Sequence, residues 1–380
     1  MTISTSGVES CHFADEQDRN GIRLFARSPL PRSEGYQVGT PRVTSHDVAR
    51  LAGVSRATVS LVLNHSEKVT FSPETRERVF HAAEELGYKP NSAARMLVSG
   101  ISETIGLVIS DPSILIHDAY IPQVLFGIET ANSKMGFHVL VEGLNTDGQQ
   151  GTYDNLVKSR RIDGLIVLNP RARDEALISL IERNFPIVLV GSVGHRKEVA
   201  VYAPPRKALE AAVDHLVGLG HSRVGTVTFA PRRFGATTVR IGALKTALMR
   251  HGLPLDEDAI ADGEFSVESG YRATLELLRR RPDLTAIFAG NDTIAIGVLS
   301  AAAELGRRVP ESLSVVGFDD LHFARWLTPA LTTIKSDGVR QGTVAAELLF
   351  ARLGYGELTQ SRVKLEVSLV LRQSTGPAPR

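Results

Sequence analysis

The stretch Val43-Thr44-Ser45-His46-Asp47-Val48-Ala49-Arg50-Leu51-Ala52-Gly53-Val54-Ser55-Arg56-Ala57-Thr58-Val59-Ser60 decides how the rest of the chain is read. Its spacing predicts two short helices joined by a tight turn. Thr44 is placed to cap the first, with Asp47 at the third helical position to reach back, an Asp variant of the capping box. Val48, Ala49 and Ala52 give that helix an apolar face. Gly53 falls where the chain must turn sharply, a position that calls for φ > 0. Ala49, four residues earlier, is small enough to let a second helix cross closely. Ser55 caps that second helix, and Val59, Val62 and Leu63 pack against the first. Ala, Gly and Val at these intervals are the pattern of a helix-turn-helix, whose second helix enters the major groove of DNA.

The surrounding chain sets bounds on this reading. It has 380 residues, 43% hydrophobic and 22% charged, enough for a large core and more than one domain. The formal net charge of +1 excludes a polycation, so any contact with nucleic acid must come from a local patch. Even from Val43 to Gly100, seven basic residues stand against six acidic ones, so the patch is one face of the head. Cys11 is the single cysteine, which rules out an internal disulfide and a cysteine-rich metal site and fits a reducing cytoplasm. No apolar run reaches the length of a membrane span. No secretory signal is expected, because the N-terminus lacks an apolar core flanked by positive charge. Residues 1–42 are polar and aperiodic. They read as a disordered extension or as a start codon chosen upstream of the true one. Asp15, Glu16, Asp18 and Glu34 offset the arginines of this segment and argue against a basic arm reaching DNA.

After a polar loop, Ser72-Pro73-Glu74-Thr75 starts a third helix, with Ser72 as cap and Pro73 at the first position. Val79, Ala82, Ala83 and Leu86 form its buried stripe and Gly87 ends it. Pro90 then breaks the chain, and one or two helical turns fit before Gly100, too few to be stable alone in water. From Ile101 the pattern changes. Short continuous apolar runs at 105–110, 138–142, 164–168, 187–190, 224–229, 286–289 and 314–317 read as parallel strands covered on both faces. Helical stretches at 122–135, 174–183, 207–219, 242–251, 269–280, 292–305 and 338–353 separate them. Such alternation predicts an α/β architecture of two doubly wound lobes.

The head, the Ser72-Pro73-Glu74-Thr75-Arg76 helix start, the Leu86-Gly87-Tyr88-Lys89-Pro90-Asn91 link and the small-residue hinge resemble the lactose/galactose repressor (LacI/GalR) family of bacterial transcription regulators. The resemblance covers essentially the whole chain from Val43. It implies an all-α helix-turn-helix head over 43–89, a hinge helix over 90–100, and a periplasmic-binding-protein-like effector-binding and dimerisation domain over 101–380. Lobe one would comprise about 101–203 and 335–362, and lobe two about 204–334 and 363–380, with three crossings between them. The implied function is that of a cytoplasmic homodimeric repressor without a cofactor. Two heads would read a pseudo-palindromic double-stranded operator, and a small-molecule effector such as a sugar would control them. The helices at 122–135 and 338–353 are the expected dimer faces, and no tetramerising heptad tail follows Arg372.

By the same resemblance, Arg56 and Ala57 stand where the family reads bases. Arg56 is suited to a bidentate pair with guanine and Ala57 to a thymine methyl. Leu61 falls where many relatives carry a polar base-reader. Thr44, Ser55, Thr58, Ser60 and Asn64 are candidates for phosphate contacts, which position without specifying; for Thr44 and Ser55 capping alone is the competing role. Leu97 matches the leucine that wedges into a central minor-groove step, and Ala93 and Ala94 are small enough for two hinges to approach. In the effector domain, ligands of open α/β sheets sit at strand ends. Arg240, Phe265, Asn291 and Asp319 match the family's ligand-facing positions: a forked cation, an aromatic face, an amide and a carboxylate. Arg240 is expected to open a helix, and Phe265 is available to stack on a ring. Asp111 and Tyr120 are the candidates from the other lobe. Asp292 and Asp320 read as capping or structural, and Trp326 as packing in the core or at the edge of the cleft. Pro204-Pro205 departs from the acidic pair that relatives carry before the 207–219 helix.

Two rival classes have less behind them. A solute-binding receptor without a DNA role would need an export signal and no helix-turn-helix. An enzyme needs a constellation that is not visible: the histidines lack metal-ligand spacing, no nucleophile elbow or Walker loop occurs, and His215 and His221 read as structural.

Overall fold

A computed structural model of the chain describes residues 43–63, 70–88, 96, 99–112, 114–144 and 149–380. They fall in two compact units, one before and one after the Pro90–Asn91 bond.

The first unit holds α1 (Ser45–Ala52), α2 (Arg56–Leu63) and α3 (Pro73–Glu85). Asp47 accepts from both the backbone N–H and the hydroxyl of Thr44, at 3.0 and 2.7 Å, and closes the start of α1. Gly53 ends the helix at φ 65°, the left-handed conformation the turn requires. Ser55 Oγ accepts from Thr58 N–H at 3.0 Å and starts α2. Ser72 does the same for α3, with Pro73 behind it. Val48, Ala49, Ala52, Val59, Val62, Val79, Ala82 and Ala83 make one buried core. Leu63 and Leu86 pack on its margin.

The second unit alternates strands and helices in the order β1 (Thr104–Ile109), α4 (Ile114–His117), α5 (Tyr120–Met135), β2 (His138–Gly143), α6 (Gln149–Lys158), β3 (Gly164–Leu168), α7 (Glu175–Glu182), β4 (Ile187–Val190) and β5 (Ala200–Tyr202). There follow α8 (Arg206–Gly218), β6 (Val224–Val227), α9 (Gly235–Met249), β7 (Ile260–Ala261), α10 (Val267–Arg280), β8 (Ala286–Ala289), α11 (Asp292–Glu304), β9 (Ser314–Asp319), β10 (Thr332–Lys335), α12 (Gly338–Arg352), β11 (Arg362–Lys364) and β12 (Ser368–Val370). Two six-stranded sheets result, with orders β11-β5-β4-β3-β1-β2 and β12-β10-β9-β8-β6-β7. Every pairing is parallel except β10 with β12. Each sheet contains the doubly wound order 2-1-3-4-5, which leaves a crevice at the carboxyl ends of its strands. The chain enters the second sheet after β5, returns with α12 and β11, and leaves again for β12. Among the described residues no helix is long and apolar enough to cross a membrane.

Three details depart from the sequence reading. The helix expected to begin at 242 begins at Gly235. Phe234 is fully buried just before it, and the Phe234 carbonyl accepts from the N–H groups of Thr237 and Thr238. This anchor overrides the weak helix propensity of Gly235-Ala236-Thr237-Thr238-Val239. Arg240 therefore lies inside α9 and does not open it. Trp326 is 79% exposed, so it packs neither in the core nor in the cleft; the short turn around it buries Ala324 instead. The short strands β5, β7, β10, β11 and β12 and the helices α4 and α6 had no periodic signal strong enough to be read.

Candidate functional site

Two places carry the expected side chains. On the head, the inward face of α2 is Val59 and Val62, and Arg56, Ala57 and Ser60 stand exposed on its outer side. Thr58 and Leu61 are half-buried. The Ser55 hydroxyl is shared with the Thr58 N–H and hydroxyl, and that of Thr44 with Asp47, so both residues do capping work in this structure. The two hydrogen bonds from Thr44 hold the Asp47 carboxyl below its usual value. An exposed, short-side-chain helix face with one forked cation at its start is shaped to approach base edges. Asn64, Ala93, Ala94 and Leu97, with the hinge helix, lie outside the described residues.

In the second unit a cavity of about 450 Å³ opens between the carboxyl ends of the two sheets. Lobe two supplies Arg240, Asn291, Phe318 and Asp319, lobe one supplies Asp118, Tyr120 and Ser192, and Pro204 and Pro205 line it where the chain crosses. Arg240 is fixed on three sides. Its guanidinium lies 3.7 Å from the Phe318 ring centre and 4.5 Å from that of Phe229, and Nη1 donates to the Gly290 carbonyl. Nη2 is 3.6 Å from Asp319 Oδ1, near enough for ion pairing but too far for a hydrogen bond. Asp319 Oδ1 consequently has no hydrogen-bond partner although the residue is only 4% exposed. Burial pushes the Asp319 carboxyl up to about 7; Arg240 pulls it down and Asp118 pushes it further up. Asn291 caps α11 through Oδ1, which accepts from Ile294 N–H at 2.8 Å, and its buried Nδ2 is without a partner. Tyr120 stands in the wall, its phenol driven well above its ordinary value by burial and by the Asp319 charge.

Behind the lining, Asp292 is fully buried and acts as a pin. It accepts from Leu321 N–H at 2.7 Å and from the Thr333 hydroxyl at 2.5 Å, joining α11 to β10 and to the segment after β9. Burial, with Asp319 nearby, pushes it up to about 8. Asp320 pairs with Arg372 at 2.5 Å. His221 bonds Thr285 and the Gly376 carbonyl, and His215 bonds Thr375, both as structural histidines held low by burial.

The structure brings Tyr120, Arg240, Asn291 and Asp319 together and places two expected residues elsewhere. Phe265 is 2% exposed, its ring edge-on to Phe234 at 5.2 Å and to Phe229 at 6.0 Å. Its faces are spent on the core, so stacking on a ligand is not the role this geometry gives it. Asp111 lies with Phe265, His117 and Arg233 along a separate pocket of about 300 Å³. Asp118 was missed. It is 5% exposed, lines the main cavity and accepts from Tyr120 N–H at 2.9 Å. A polar residue two positions before a helix was its only signal, and such residues usually cap. Burial raises its carboxyl as well.

Known proteins share this arrangement. The family model for bacterial regulatory proteins of the lacI family matches residues 44–91, and that for a periplasmic binding protein-like domain matches residues 213–375. The HTH-type transcriptional regulator CelR of Thermobifida fusca is 34% identical over 338 residues, covering 88% of this chain and 98% of CelR. Among solved structures, the lac repressor dimer bound to operator and the anti-inducer ONPF is similar with a TM-score of 0.77 and 30% identity, over 88% of this chain and 100% of that one. The complex of CelR with cellobiose is similar with a TM-score of 0.67 and 31% identity, over the same shares.

Proposed function

The chain belongs to the lacI family of bacterial regulatory proteins, and on that premise we propose that it is a sequence-specific transcriptional repressor switched by a small polar effector. It acts in the cytoplasm as a homodimer, with two heads on the half-sites of a pseudo-palindromic operator; the similar lac repressor is seen as a dimer bound to operator. The observation that carries the DNA-binding half is α2, which buries Val59 and Val62 and leaves Arg56, Ala57 and Ser60 facing outward. The effector half rests on the cleft, where Asp319 Oδ1 and Asn291 Nδ2 are buried without hydrogen-bond partners. Groups of that kind cost free energy until something fills the cavity. The ionisable groups there form an ion pair, a pin and caps, an arrangement for holding a ligand rather than transforming it. Effector and operator affinities are then coupled by typically about 1–3 kcal/mol, and the coupling is reciprocal.

The test begins with selection of a preferred duplex from a random pool and fluorescence anisotropy on the full chain. Arg56→Ala lowers affinity for the selected duplex by about 10- to 100-fold, the value of one bidentate base contact. Binding to random duplex falls much less. Equal loss on both, or no preference for any duplex at moderate salt, removes the DNA-reading half. The effector half falls if Arg240→Ala responds to a metabolite library as the wild type does.

A further inference from the structure

The cavity has a charge problem that the effector must solve. Asp118 from lobe one and Asp319 from lobe two both line it, both are at least 95% buried, and the Asp118 charge pushes the Asp319 carboxyl up. The cation among them is Arg240, and it is already committed: one face lies on Phe318, Nη1 donates to Gly290, and Nη2 is turned to Asp319. Its charge is therefore already shared with Asp319, and no second buried cation among the described residues balances Asp118. The other charges nearby do not help. Arg173 lies on the rim, exposed and screened by solvent. Glu198 is tied to Ser192 and Arg362, Asp320 to Arg372, and Asp292 behind Asp319 is tied to Leu321 N–H and the Thr333 hydroxyl.

A second observation is independent of charge. Asp319 Oδ1 is a buried acceptor without a donor, and Asn291 Nδ2 is a buried donor without an acceptor. The occupant must supply both. We propose that the effector is a hydroxylated molecule carrying a protonated amine, its ammonium seated between Asp118 and Asp319 and an oxygen accepting from Asn291 Nδ2. An ammonium brings three donors and a full positive charge, and so satisfies the carboxylates as well as pairing them. A neutral sugar supplies donors but leaves a buried negative charge uncompensated, and a sugar acid adds to it. Burial raises both carboxyls, and a cation seated against them would offset that cost. This inference rests on reading the cavity as the effector site.

Matched ligands separate the possibilities. Isothermal titration of the full chain at pH 7.5 uses glucosamine, glucose and glucuronate, and as a larger set the chitosan disaccharide, cellobiose and cellobiouronate. The expected order in the set that fits is amine above neutral by at least about tenfold, and neutral above acid. Asp118→Asn keeps an oxygen for the Tyr120 N–H while removing the charge, and it cuts the preference for amine over neutral by about tenfold. A neutral or acidic member that binds as well as the amine overturns the proposal. So does a preference unchanged in Asp118→Asn, and so does silence of all amines. If the neutral sugars bind and weaken in Arg240→Ala while the amines do not bind, the effector site stands and the amine is wrong. If Arg240→Ala leaves every ligand response unchanged, the site itself has been misplaced.

Discussion

The two lobes are built alike and charged differently. Each has strands in the order 2-1-3-4-5, and each is sealed by a pair of helices that cross at glycine. In lobe one, a Cβ on Gly127 of α5 would overlap the Val339 carbonyl of α12, and one on Gly342 would overlap that of Val124. In lobe two, Gly297 of α11 meets the Val267 carbonyl and Gly270 of α10 meets that of Ile294 in the same way. Lobe two nevertheless places Arg240, Asn291 and Asp319 in the cavity, whereas lobe one contributes Asp118 as its buried charge there. The common architecture decides where a ligand fits. The side chains at a few strand ends decide which ligand, and one lobe bears most of the electrostatic cost of an empty site.

The largest expected effect tests the likeness. Gly127→Val forces α5 away from α12 and destabilises the effector domain by about 3 kcal/mol or more, at the upper end for overpacking. Gly297→Val does the same in lobe two. Thermal unfolding of both variants checks this, and a midpoint that drops for one and not the other breaks the parallel between the two helix pairs.

The next effect tests the difference. Asp319 rises from 3.8 to about 7 on folding, so between those values the native state holds a proton that the unfolded chain has lost. Stability contributed by that proton is full below about pH 4 and is lost as the pH climbs through about 7, an effect of a few kcal/mol at most, at about 1.4 kcal/mol per unit. The raised Asp118 and Asp292 carboxyls act in the same sense and the lowered His215 and His221 oppose them, so the unliganded protein should show a midpoint that falls from pH 5 to pH 8, and Asp319→Asn should make that fall smaller. A wild-type profile that rises over this window would show that lobe two does not bear the charge assigned to it.

The smallest effect compares two caps. Asp174 accepts from Leu177 N–H at 3.0 Å at the start of α7, and Asn291 accepts from Ile294 N–H at 2.8 Å at the start of α11. Replacing either by Ala should cost about 1 kcal/mol. Only Asn291→Ala should also weaken the ligand, because only its amide lines the cavity. Equal ligand affinities in the two variants would reduce Asn291 to a cap.

Features made by near neighbours in the chain were legible at once. Asp47 reaching back to Thr44, Gly53 in the left-handed turn, and Ser55 and Ser72 as caps all act over three or four residues, so their spacing is their mechanism. The buried strands were legible too, because continuous apolar runs have few other uses. The start of α9 was not, since it depends on Phe234 being swallowed by a core drawn from distant segments. Trp326 misled for the converse reason: a large apolar ring is expected inside, and here the turn buries its small neighbour Ala324.

The sequence by itself therefore determined the helix-turn-helix head, the two doubly wound lobes and the strand ends where a ligand must sit, because caps, turns and periodicity are local or repetitive. Only the tertiary structure decided that Phe265 is core, that Asp292 is a pin and that Asp118 joins Asp319 across the cavity. Burial, pairing and the displacement of a carboxyl depend on atoms that are close in space while remote in the chain, and Asp118 and Asp319 belong to different lobes that only folding brings together.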